Sequence, residues 1–173
     1  MDTSRFIQMA VNEINRSFAI ETEDLTPEQM LFRPTPEANH ITFLLWHFAR
    51  VQDNVWHSVS TPAGTEPLWI QKEWYTKFGL TEKDSGTGFT PDEVEKLAPD
   101  YELLISYVEQ VAAAVWEGIG KFREEDYDRP LNPDNPRQTV GRQIQSIIVG
   151  HGYFHLGEVR FLKGLSYVIQ KKS

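Results

Sequence analysis

Five histidines stand in this chain, and two of them, His151 and His155, sit four residues apart in Gly150-His151-Gly152-Tyr153-Phe154-His155. Four residues of α-helix turn about 400°, so both imidazoles project from one face, one turn apart. At that spacing two ring nitrogens can reach one metal ion. The same face carries Ile144 and Ile148 upstream and Leu162 downstream, which points the pair inward. A buried ionisable ring needs a partner. That partner is a metal, or a carboxylate or backbone carbonyl accepting from each ring. The pair lacks the intervening glutamate of HExxH, which argues against thermolysin-like chemistry.

A third histidine has the right orientation. His47 shares an apolar stripe with Leu44, Phe48, Val51 and Val55, while Arg50, Asp53 and Asn54 face elsewhere. His57 lies ten residues on, about 280° around the helix, and cannot face the same core. His40 falls at the helix start and reads as a loop or capping residue. His47, His151 and His155 together make a facial three-histidine site with coordination positions left open, as catalytic rather than structural sites have. A single inward histidine such as His47 is also satisfied as a hydrogen-bonded core residue. Such a site would take zinc, nickel, iron or manganese, since three imidazoles discriminate weakly among them. The ion would lower the pKa of a bound water from about 15.7 toward 7, or bind a thiol as thiolate. Glu158, seven residues from His151 and about 20° off its line, faces the interior too. It reads as a partner that orients a histidine or as a general base. The alternative is an ion pair with Arg50, Arg142 or Arg160. Trp46, Trp56, Trp69, Trp74 and Tyr153 either wall a pocket or pack as ordinary core.

The elements that must position these residues are helices. Ser4 is placed to cap a first helix carrying Phe6, Ile7, Ala10, Ile14 and Phe18. Leu25 to Pro36 holds three prolines and connects, with one short helical turn. A second helix fits Ile41 to about Val59. Pro62 to Gly88 is an irregular insertion, with short aromatic helices around Leu68-Trp69-Ile70 and Trp74-Tyr75. Thr90-Pro91-Asp92-Glu93 starts a helix with a capping threonine, a first-position proline and first-turn acids. Pro99 breaks or kinks it near Ala98, and the stripe resumes from Tyr101 through Ile119. Arg123 to Gln138 is a loop, and Thr139 caps a fourth helix running to about Leu165. The chain therefore reads as all-α: a four-helix bundle with a long crossover after the second helix. The paired Glu-x-x-His motifs of ferritin-type bundles are absent.

Composition bounds the function classes. The 173 residues suit one domain spanning 1–173. A formal charge of −8 disfavours nucleic acid and anionic membranes as partners. No apolar run of about 18 residues is present to span a bilayer. The N-terminus has neither the basic region nor the apolar core of a signal peptide, so a cytoplasmic location is expected. There is no cysteine, which excludes disulfides, thiolate ligands and a cysteine nucleophile. Ligands must come from His, Asp, Glu and water.

The segment Leu44-Leu45-Trp46-His47-Phe48-Ala49-Arg50-Val51-Gln52-Asp53, following Asn39, resembles the second helix of the DinB/YfiT-like superfamily. Gly150-His151-Gly152-Tyr153-Phe154-His155-Leu156-Gly157-Glu158-Val159 resembles its last helix, where a histidine, three residues and then His-x-Gly-Gln/Glu recur. The Leu25-Thr26-Pro27-Glu28-Gln29 turn fits as well, so the likeness spans nearly the whole chain. It implies that His47, His151 and His155 are the three metal ligands of a four-helix bundle, often a homodimer. It also implies a transferase or hydrolase acting on a small molecule with a low-molecular-weight thiol such as bacillithiol or mycothiol. The chain departs from the pattern at Asn39-His40, where relatives often have serine, and in its aromatic insertion. Both bear on substrate choice. Two function classes follow: a metal-dependent enzyme of that kind, or a non-catalytic, stress-related binding or dimerising bundle whose metal is structural or incidental.

Overall fold

The computed structural model describes residues 2–60 and 66–170, so Pro62 to Thr65 of the expected crossover lie outside the described residues. The first helix, α1, spans Thr3–Thr22 and buries Val11, Ile14 and Phe18. Its cap is Asp2, whose carboxylate accepts from the Arg5 N–H at 2.7 Å. Ser4, expected to be the cap, sits one residue inside, and its hydroxyl donates to the Phe122 carbonyl at 2.8 Å instead. Both residues are good caps, and the one that came first in the chain took the position. The short turn α2, Pro27–Met30, is closed by a capping box between Thr26 and Gln29.

The helix α3, Ile41–Ser60, is buried at every position from Ile41 to Arg50. It has no solvated face there because it is covered on all sides. The helix α7, Tyr101–Ile119, packs on α3, and the returning crossover covers another side. That crossover contains α4, Leu68–Gln71, and α5, Trp74–Lys77, the two aromatic turns expected from the sequence. Trp46, Trp69 and Trp74 are buried there as core. The helix α6, Pro91–Lys96, begins on the Thr90–Glu93 capping box and stops before Pro99, as proline demands.

After α8, Glu124–Tyr127, an isolated bridge joins Pro130 to Thr139; no strand occurs among the described residues. The last helical stretch is continuous but not uniform. It starts as α9, Val140–Gln143, capped by Thr139, widens into a π-helical segment at Ile144–Gly150, and continues as α10, His151–Gln170. The row Val140, Ile144, Ile148, Gly152 is buried. In an α-helix a row with steps of four drifts by about 40° per step, and the wider π turn keeps this one on the core. The four long helices close around one core: α3 lies on α7 and α10, and α1 lies on the same two. Among the described residues no helix is long and apolar enough to cross a membrane.

Candidate metal centre

The site depends on a close approach of α10 to α3. Gly152, between the two last-helix histidines, permits it: a Cβ there would meet the Phe48 ring at 2.8 Å and Ile14 at 2.9 Å. With the helices this close, three imidazoles converge. The ring centroids of His47 lie 5.3 Å from His151 and 5.2 Å from His155, and the last two are 4.3 Å apart. One ligand atom from each falls within 4.8 Å of the others, and no fourth His, Asp or Glu joins the group among the described residues. His47 and His155 are buried and His151 is half-buried.

The far side of two rings is tied down. His47 Nδ1 sits 2.5 Å from the Ser85 carbonyl, which can only accept, so Nδ1 carries the proton and Nε2 keeps its lone pair. His155 Nδ1 meets a Glu158 carboxylate oxygen at 2.5 Å. Glu158 lies at the edge of the site, its side chain 38% exposed, and its partner there is His155. Two of the three arginines weighed as alternatives are engaged otherwise, Arg50 with Asp53 and Arg160 with Glu21. His151 Nε2 points at His155 Nε2, 2.9 Å away, and its buried Nδ1 has no partner. At that distance the His151 Nε2–H donates to His155 Nε2 in one tautomer, and in the other both lone pairs face a shared cation. The all-nitrogen donor set and the outer nitrogens of His47 and His155, held by a carbonyl and a carboxylate, fit a divalent transition metal.

Burial also favours the neutral form of His47 and His151. Desolvation pulls the His47 pKa below its ordinary value, against the opposing pull of the Ser85 carbonyl. His151 falls further, to about 4, through desolvation and then the neighbouring His155 and His47. Neutral imidazole is the form that binds metal.

The other histidines are elsewhere. His40 caps α3: its Nδ1 accepts from the Phe43 N–H at 3.0 Å and its Nε2 donates to the Val94 carbonyl at 2.8 Å. His57 lines a different cavity with Trp56 and Ser60. Reading side chains alone misses three parts of the site: Asp84, Ser85 and Gly86. They act through backbone, which leaves no side-chain signature. The only trace is the turn composition of Asp84-Ser85-Gly86-Thr87-Gly88.

Beside the triad, a groove of about 540 Å³ runs between α10 and the segment before α3, lined by Asn39, Leu44, Phe154, Gly157, Glu158 and Phe161. That volume suits a small organic molecule.

The comparisons agree with this fold. A crystal structure described as the conserved protein of a locus from Enterococcus faecalis superposes with a TM-score of 0.80 at 21% identity, covering 94% of this chain and 96% of that one. No curated protein matches the chain. The model of the DinB superfamily matches residues 14–159, from the middle of α1 to the turn of α10 beyond Glu158. The chain belongs to the DinB superfamily.

Proposed function

We propose that this protein is a metal-dependent enzyme in which His47, His151 and His155 hold one divalent ion, acting on a small molecule as a thiol-dependent transferase or a hydrolase. The observation that carries the reading is the three-histidine cluster with no fourth protein ligand among the described residues, because a tetrahedral ion held by three side chains keeps a position for water or substrate. A bound divalent ion supplies Lewis acidity that lowers the pKa of a water or thiol reaching it. The chain's own residues supply the rest. Ser85 and Glu158 orient His47 and His155. Glu158 also borders the groove, and there it takes the proton that a thiol or water gives up. The apolar rim of Phe154 and Phe161 receives the substrate's carbon skeleton. Asn39, at the position where the chain departs from the family pattern, lines the same groove and bears on which substrate fits.

A second copy is the expected partner. Phe154, Gly157, Phe161, Gly164 and Val168 recur at alternating steps of three and four on α10, a coiled-coil seam. Phe154 and Phe161 are 65% and 66% exposed, and nothing lies within 4 Å of a Cβ built on Gly157 or Gly164. Phenylalanines of one chain would fit over glycines of the other, burying apolar surface that an isolated chain leaves in water.

The test is metal stoichiometry followed by turnover. Chelator-stripped protein should bind one zinc or cobalt ion per chain, and His47→Ala, His151→Ala and His155→Ala should each bind weakly or not at all. The loaded protein should then turn over thiol–electrophile pairs or activated esters, and Glu158→Gln should lose most of that rate. Wild-type metal binding in all three alanine variants would overturn the site. Tight metal binding with a sharp loss of Tm on stripping, and no turnover, would favour the non-catalytic bundle.

A further inference from the structure

Arg50 is 1% exposed, and a guanidinium is expensive to bury unless its donors are used. Its Nε donates to the Asp84 carbonyl at 3.0 Å, and one Nη donates to Asn54 Oδ1 at 3.2 Å. Its charge lies 3.6 Å from the Asp53 carboxylate and 4.4 Å above the Trp69 ring. Asp53 is equally committed. It accepts from the Leu68 and Trp69 amides at 2.9 and 2.8 Å and from the Tyr107 hydroxyl at 3.0 Å. Burial pushes its pKa up, and those donors together with Arg50 oppose the push. Asp53 therefore hydrogen-bonds the start of the crossover to α3. Arg50 reaches the other end of the crossover, next to the metal site.

His47 and Arg50 are three residues apart and, against the expectation that Arg50 faces elsewhere, neighbours on one face of α3. They grip consecutive carbonyls of one loop: Arg50 takes Asp84, His47 takes Ser85. The Asp84 carboxylate accepts from the Thr81 N–H at 2.7 Å, closing the turn. Gly86 then bends away with φ +86°, and a Cβ on it would lie 2.9 Å from His47 Nδ1. A shift of this loop by a fraction of an ångström would take the carbonyl off the ring or push the ring itself.

We propose that Arg50 is a positioning residue for the metal site: by holding the Asp84 carbonyl it fixes the Ser85 carbonyl on His47 Nδ1, and so keeps the His47 Nε2 lone pair aimed at His151 and His155. The proposal rests on the metal reading above. It adds that the crossover works as an outer support for the ligand on α3, and that the buried ion pair serves orientation beyond stability. Outer partners of this kind change metal affinity by about 10- to 100-fold when removed.

The experiment uses Arg50→Lys, which keeps the charge beside Asp53 and loses the planar donor to Asp84, with Ile119→Ala as a destabilised core control. Ile119 is fully buried on α7. Two quantities are read: the His47 ring tautomer in metal-free protein, by long-range proton–nitrogen NMR, and cobalt(II) affinity by absorption titration. Wild type should show a single Nδ1-protonated ring. Arg50→Lys should show a mixed tautomer and cobalt affinity about tenfold weaker or more. Ile119→Ala should lose Tm yet keep the wild-type tautomer and affinity. An unchanged tautomer and affinity in Arg50→Lys overturns the proposal. An equal loss of affinity in Ile119→Ala overturns it too, because general destabilisation would then account for the effect. Failure of wild type to take up cobalt sinks the metal reading alone, and the tautomer comparison still decides whether Arg50 orients the ring.

Discussion

At the scale of single residues, the site is set by groups that have no chemistry of their own. Gly152 lets α10 come close enough for His151 and His155 to meet His47. Gly86 does the same for the crossover, and it adds a left-handed φ of +86° that a residue with a Cβ adopts only with strain. Replacing Gly86 with alanine should therefore cost about 1–3 kcal/mol of stability and weaken metal binding as well, since the new methyl group meets His47, Trp46 and Phe43. Urea unfolding and cobalt titration on the same samples check both. Stability lost without any change in affinity would show that His47 does not feel the loop. Glu158 illustrates the opposite case, a residue whose own side chain reaches the site. Its partner, His155, follows from three-residue neighbourhood on the same helix.

At the scale of elements, the long helices were legible because their apolar rows repeat with the helical period, and Thr90, Thr139 and Pro99 mark where they start and break. The start of α1 moved by two residues because Asp2 and Ser4 offer equivalent caps. The π-helical segment was not legible: its row ends on Gly152, which gives no apolar signal, so the histidines look evenly spaced on an ordinary helix. The crossover's contribution was hidden for another reason. Its contacts to His47 span 38 residues and use a backbone oxygen. The start of α3 yields a pH prediction. Burial holds the His40 pKa below its ordinary value, and its unprotonated Nδ1 caps Phe43. Below about pH 6.5 the unfolded chain binds a proton there that the folded chain does not. Its contribution to stability is therefore complete above that pH and is lost as pH falls. Asparagine keeps a capping acceptor but does not titrate. In the presence of chelator, His40→Asn should lose less stability than wild type between about pH 7 and pH 5, read as urea midpoints. A parallel loss would assign the dependence to other groups.

At the scale of the whole molecule, the exposed face of α10 and the groove share Phe154 and Phe161. Pairing along that face would place a second chain over the groove's rim. Phe161→Glu introduces a charge at the centre of the seam, at a side chain 66% exposed in the single chain, and should convert a dimer to monomer in sedimentation or light scattering. A monomeric wild type, or a variant that stays dimeric, would discard this seam. The π-helical segment bears on chain length. A π turn is an α-helix holding one residue more than its hydrogen bonds require, so this chain carries one position its fold can spare. Deleting Gln145, exposed within Ile144–Gly150, should let that segment relax to α geometry with everything after it still in register. Deleting Tyr153, equally exposed but inside α10, would rotate the rest of the helix by about 100° and carry His155 out of the site. One deletion should leave a folded, metal-binding protein and the other should not: at Ile144–Gly150 the fold tolerates a change of length, while between the two histidines it does not.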